Sequence, residues 1–155
     1  MGISLVKEQK ISIEKSDGSS LTKIFLGAGW DVAKKGGLLG MFGGGDSSID
    51  LDASAIMFDE NNSPLDSIWF GQLRSRDGSI QHSGDNRTGE GDGDDEAIHV
   101  DLTRVPSQVK SIVFTISSFR GQTFEKVENA YCRLVDATTN VEIAKYNLSA
   151  KGHYT

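Results

Sequence analysis

The chain has 155 residues, 37% of them hydrophobic and 25% charged, which suits one soluble globular domain with a sizeable core. A formal charge of −6 argues against nonspecific nucleic-acid binding, which rests on basic patches. The single cysteine, Cys132, excludes an intramolecular disulfide and a CxxC redox pair.

Residues 1–7 show neither the basic and apolar regions of a signal peptide nor the Ser or Thr that myristoylation needs at position 6, where Val6 stands. No apolar stretch reaches the length of a membrane span, so the expected compartment is the cytoplasm. Leu5 and Val6, then Ile11 and Ile13, belong to short strand-like runs, and residues 16–19 form a turn. Residues 21–30 read as a strand with Ile24, Leu26, Ala28 and Trp30 on one face. Asp31 follows at the strand end, where it can reach a loop site or begin a turn.

Residues 34–48 form a glycine-rich insert, read as a flexible loop. Leu38, Leu39, Met41 and Phe42 within it are expected to fold onto the domain rather than touch a partner or a membrane surface. The insert is not a P-loop, because the Gly-Lys-Ser/Thr end is missing. Residues 49–58 alternate cleanly, with Asp50, Asp52 and Ser54 on one face and Leu51, Ala53, Ala55 and Met57 on the other. Asp50 and Asp52 would lie about 7 Å apart on that face and could flank one ion, or simply face solvent. Residues 59–64 turn the chain, and residues 65–70 return as a strand carrying Trp69.

Residues 74–83 are polar, with a turn at Asp77-Gly78. Residues 97–102 alternate, Val105-Pro106 is a break, and residues 109–119 are the most apolar run, β-branched and strand-like. Residues 120–123 are a loop. Residues 129–135 place Ala130, Cys132 and Leu134 on one face, so Cys132 is expected to face the core. Residues 138–140 turn into a last strand over 141–148. Eight or nine short strands without a convincing amphipathic helix predict an all-β sandwich of two packed sheets. The 109–119 run, with Trp30 and Trp69, is expected to supply its core, and the loops at one end to gather Asp31, Asp50, Asp52 and residues 85–96.

That last stretch is Asp85-Asn86-Arg87-Thr88-Gly89-Glu90-Gly91-Asp92-Gly93-Asp94-Asp95-Glu96. Six carboxylates against one arginine leave −5, nearly all of the chain's net charge. Gly89, Gly91 and Gly93 let the backbone curl. A curling, oxygen-only segment suits calcium, which takes six to eight oxygens in flexible geometry, better than magnesium or zinc; a solvated acidic loop is the plain alternative. It is not an EF-hand. Arg87 and Glu90 stand at the third and sixth positions, and a strand rather than a helix follows. His82, His99 and His153 have no zinc-site spacing, and no Gly-x-Ser-x-Gly elbow occurs. A reductase would need a thiol pair or a redox cofactor. The protein is therefore expected not to be an enzyme.

Gly29-Trp30-Asp31, Asp50-Leu51-Asp52-Ala53-Ser54-Ala55, the thirteen residues from Gly84 to Glu96, and Asn129-Ala130-Tyr131-Cys132-Arg133-Leu134 together resemble the TerD family of tellurium-resistance and stress-response proteins. The resemblance spans nearly the whole chain. It implies a calcium-binding, non-catalytic β-sandwich of the bacterial cytoplasm, linked to tellurite, phage, colicin and other stress resistance. It also implies metal ligands among Asp31, Asp50, Asp52, Asp85, Asn86, Thr88, Gly89, Glu90, Asp92, Asp94, Asp95 and Glu96. Nine of these are acidic, more than one calcium can coordinate, so two ions are expected. The implied partners are other tellurium-resistance proteins, at the inner face of the membrane, without nucleic acid and without a transmembrane segment. An enzyme or a nucleotide-binding module that uses the metal is the alternative; relatives have been labelled cyclic AMP binders, although a −5 loop repels phosphate unless calcium bridges it. Family members often run on past the position of Thr155, so a final strand or helix is expected to be missing from this chain.

Overall fold

Side-chain alternation in one strand, Leu51–Phe58, marks the interior: Leu51, Ala53, Ala55 and Met57 are buried, and Ser54, Ile56 and Phe58 are not fully so. A computed structural model of the chain describes residues 2–6, 9, 18–32, 50–84, 93–118 and 127–148. Within them lie β1 (Ile3–Ser4), β2 (Lys23–Val32), β3 (Leu51–Phe58), β4 (Pro64–Ile68), β5 (Ile80–His82), β6 (Glu96–Asp101), β7 (Ser111–Ser118), β8 (Val127–Asp136) and β9 (Val141–Asn147). They form a six-stranded sheet in the order β1-β9-β8-β2-β6-β5 and a three-stranded sheet in the order β4-β3-β7. Among the described strands, β1 and β9 pair in parallel and every other neighbour is antiparallel. Among the described residues no helix is long and apolar enough to cross a membrane.

The two sheets close on one main core. Ala28, Ile80, Ile98 and Val100 of the larger sheet meet Ala53, Ala55, Met57 and Ile68 of the smaller one. Trp30, Leu51 and Ala130 form a second cluster, with Ile116 and Leu148 packed against it. Small alanines on both inner faces let the sheets approach closely. Three strands do not cover six. Among the described residues, an apolar cavity of about 530 Å³ lies between β7 and the β8–β9 half of the larger sheet, with Leu26, Ile112, Phe114, Cys132 and Tyr146 in its walls. Cys132 lines this interior space, as its alternation predicts, and burial pushes its thiol pKa up.

Several expectations need correction. The apolar run at 109–119 contributes to the core as expected, through Val109, Ile112, Phe114 and Ile116, but its strand β7 lies at the margin of the smaller sheet, and Val113 is 43% exposed. Trp69 is not core. β4 stops at Ile68 because Trp69 and Gln72 exchange backbone hydrogen bonds in a tight turn, and the indole is left 43% exposed. The polar residues 74–83 contain β5, whose inward residues are Ile80 and His82. Ile11, Ile13, the 34–48 insert and the 120–123 loop lie outside the described residues.

Strand register brings the chain ends around the undescribed segments together. Ala28 pairs with Glu96, Val32 with Val127, and Leu51 with Ser118, while Leu51 packs against Trp30 across the sheets. The ends flanking residues 33–49, 85–92 and 119–126 thus share one end of the sandwich. At that end β3 is only half covered. β7 pairs with it from Leu51 to Phe58, whereas β4 pairs only from Ala55 to Phe58.

Candidate functional site

The last three carboxylates of the acidic stretch each reach a different strand. Asp94 lies across β8: its Oδ1 accepts from Arg133 Nε at 2.9 Å and from the Tyr131 hydroxyl at 3.1 Å, and its Oδ2 accepts from Arg133 Nη2 at 2.8 Å. This is a two-pronged, charge-assisted pair. Arg133 Nη1 also stands 3.6 Å from Glu142 Oε2. Strand alternation puts Tyr131 and Arg133 on the same face, opposite the inward Ala130. The Asp94 hydrogen bond raises the pKa of Arg133. Burial, with the charge and hydrogen bond of Asp94, pushes the Tyr131 phenol up to about 12.

The chain can pass over β2 here because β2 carries two glycines. A Cβ on Gly27 would overlap the Asp94 carboxylate, and one on Gly29 would overlap the Tyr131 hydroxyl and the Gly93 carbonyl. Asp95 is held next. Its N–H donates to the Ala28 carbonyl at 2.8 Å, and its Oδ2 accepts from the Trp30 N–H at 2.9 Å. The Asp95 side chain thereby extends the β2–β6 ladder past the point where strand pairing ends.

Glu96 does the same for the other sheet. Only 1% exposed, it accepts the Ala53 N–H at 2.8 Å, on the side of β3 that β4 does not cover. The Ala53 carbonyl accepts from His82 Nε2 at 3.0 Å, and that nitrogen is 3.4 Å from Glu96 Oε2. His82 Nδ1 in turn accepts from the Gly84 N–H at 2.9 Å, so the neutral tautomer with hydrogen on Nε2 fits every contact. Burial opposes a charge on His82, but the Glu96 hydrogen bond and charge, the Ala53 carbonyl and the Asp52 charge raise its pKa above the usual histidine value. A second proton on Nδ1 would displace the Gly84 N–H.

Asp50 and Asp52, at the start of β3, are each 7% exposed. Asp50 Oδ1 is buried and receives no hydrogen bond, although the residue is engaged through other contacts. Asp52 lies opposite Ser117 on the outer face of the smaller sheet. Asp31 falls within β2, its backbone opposite Glu128. Asp85, Asn86, Thr88, Gly89, Glu90 and Asp92 lie outside the described residues. Among the described residues, no three His, Cys, Asp or Glu side chains stand together as a metal site. Sequence reasoning missed Gly27, Gly29, His82, Tyr131 and Arg133 as parts of this end. For Tyr131 and Arg133 a signal was present, since the alternation that turns Cys132 inward turns both of them outward.

Comparison with known proteins agrees with this architecture. The TerD domain family model matches residues 1–155. The chain is 51% identical to tellurium resistance protein TerZ of Serratia marcescens, over 99% of this chain and 78% of that protein. It is 43% identical to stress response protein SCP2 of Bacillus subtilis (strain 168), over 96% of this chain and 78% of that one. A crystal structure of a homologue of telluride resistance protein (TerD) from Streptomyces coelicolor A3(2) superposes with a TM-score of 0.64 at 20% identity, covering 81% of this chain and 71% of that one, and so shares the fold. The chain therefore belongs to the TerD family of tellurium-resistance and stress-response proteins.

Proposed function

We propose that the protein is a calcium-binding, non-catalytic stress-response protein of the cytoplasm that acts through calcium-dependent contacts with other tellurium-resistance proteins. The observation that carries this reading is the burial of Asp50 and Asp52, each 7% exposed, at the end of the sandwich where the acidic stretch re-enters. Both residues are engaged by other contacts, and carboxylates buried two residues apart beside an acidic stretch are where a divalent cation would lower the electrostatic cost of folding. The donor set is all oxygen, which fits calcium and not zinc.

Asp50, Asp52 and the carboxylates of residues 85–92 would hold the ion or ions. Asp94 has both oxygens on Arg133 and serves to orient the stretch. Asp95 and Glu96 fix its exit to β2 and β3. Calcium, when bound, supplies positive charge among these carboxylates. The bound and unbound forms then differ in loop shape and surface charge, which is what a partner can read. Calorimetry with calcium and with magnesium tests this: calcium should bind more tightly, and equal affinities or no heat with calcium would overturn it. Native mass spectrometry with and without calcium reads ion count, expected to be two, and assembly together.

A further inference from the structure

On the outer face of the smaller sheet, two large aromatic side chains are held in place without being buried. Trp69 is 43% exposed and Phe70 38% exposed, and their rings meet edge to face with centroids 4.7 Å apart. The turn beneath them is pinned. Trp69 and Gln72 exchange backbone hydrogen bonds, Gln72 Nε2 donates to Asp66 Oδ1 and to the Ser67 carbonyl at 2.9 Å each, and the Arg76 N–H donates to Asp66 Oδ2 at 2.8 Å. Gly71 leaves room for the indole, since a Cβ there would overlap the ring. An exposed indole fixed in this way contributes little to the core and is ready to receive a ligand with little ordering cost.

The aromatic pair borders a cavity of about 420 Å³, within the range of about 300–1,000 Å³ usual for small-molecule sites. Asp52, Ser54, Ser67, Ser117 and Ser118 supply its polar wall, and Ile56 adds a further apolar one beside the rings. Hydroxyls both donate and accept, a carboxylate only accepts, and an aromatic face takes a flat C–H surface. The Ser54 hydroxyl already shares a hydrogen bond with Thr115 at 3.0 Å, and an ammonium ion, which offers donors alone, gives the Ser67 and Ser117 hydroxyls nothing to donate to. An anion is disfavoured by Asp52 and by the net charge of −6. A neutral ring with an apolar face and a rim of hydroxyls matches both kinds of wall among the described residues: its face suits Trp69, Phe70 and Ile56, and its hydroxyls suit the serines and Asp52. We propose that the cavity formed by Trp69, Phe70, Asp52, Ser54, Ser67 and Ser117 binds a sugar ring, stacked on Trp69 and hydrogen-bonded to the serines and Asp52. This site goes beyond the calcium reading but shares Asp52 with it, so sugar binding is tested without calcium and the variants that separate the two lie at Trp69, Phe70 and Ser117.

Saturation-transfer NMR on the full chain in chelator, with glucose, galactose, N-acetylglucosamine and ribose as probes and methylammonium as the contrasting one, tests the proposal. At least one sugar should receive saturation. Trp69→Ala should weaken its binding about tenfold, the scale of one aromatic contact, and Phe70→Ala and Ser117→Ala should each weaken it in a folded protein. Calcium calorimetry on Trp69→Ala should match the unsubstituted protein, so that failure of this site and failure of the calcium reading are told apart. Sugar binding unchanged in all three variants, no saturation of any sugar, or saturation of methylammonium alone would overturn the proposal.

Discussion

Glu96 on β6 and Ala53 on β3 belong to different sheets, yet the Glu96 carboxylate accepts the Ala53 N–H at 2.8 Å in a fully buried position. With His82 on the Ala53 carbonyl, both backbone groups of Ala53 are satisfied by side chains on the edge that β4 does not reach. Glu96→Ala should leave the Ala53 N–H unsatisfied and cost about 2–3 kcal/mol, while Glu96→Gln, which keeps an acceptor, should cost less. Urea unfolding in chelator measures this. A side chain that served only a metal would show no loss under those conditions.

Gly27→Ala would ordinarily be neutral or stabilising in a strand, because alanine restricts the unfolded chain. Here the added methyl group meets the Asp94 carboxylate, which Arg133 holds in place. The expected result is a lower melting temperature, together with weaker calcium binding from a displaced acidic stretch. A melting temperature at or above that of the unsubstituted protein would show that Asp94 moves aside without consequence.

How much of this was legible in the sequence depends on where the partners lie. β3 was legible because its inward residues are apolar and its alternation is local. β5 was not, since it is three residues long, its inward His82 is polar, and the segment before it buries Ser75 and Ser79; Ser75 is satisfied by Asp77 and by the Ile80 N–H, and His82 by Ala53 and Gly84. The acidic stretch announced itself by composition, but composition could not divide it. Asp94, Asp95 and Glu96 reach residues 39, 65 and 43 positions away, and nothing local marks those pairings. The strand pattern over 65–70 points Trp69 to the core, whereas the Trp69–Gln72 turn carries it outward.

Tyr131 gives the fold an alkaline limit. Its folded pKa of about 12 lies above the ordinary value of 10.0, so the folded protein holds the phenolic proton more tightly than the unfolded chain. Its contribution to stability is complete below pH 10 and is lost as pH rises from there through about 12. Tyr131→Phe should flatten that part of the stability profile. Phenolate absorbance should show Tyr131 titrating late, and identical alkaline stability profiles for the two proteins would contradict a phenol raised by burial and by Asp94.

Asp52→Asn and Asp92→Asn test whether strand and loop serve one ion site. Both should weaken calcium binding or reduce its stoichiometry, because each removes a full negative charge from the set. If Asp52→Asn leaves affinity and stoichiometry unchanged, the β3 carboxylates lie outside the site.

Thermal unfolding in chelator and across a calcium series bears most directly on the calcium reading. The core that joins Ala28, Ile80, Ile98 and Val100 to Ala53, Ala55, Met57 and Ile68 contains no carboxylate, so the chain should still fold cooperatively in chelator. Calcium at a hundredfold excess over Kd should add about 2.7 kcal/mol, a rise of about 5–12 °C for a domain of this size, with magnesium giving less. No shift with calcium would contradict the reading and leave residues 85–96 as a solvated acidic loop. A random-coil spectrum in chelator would contradict the metal-independent core.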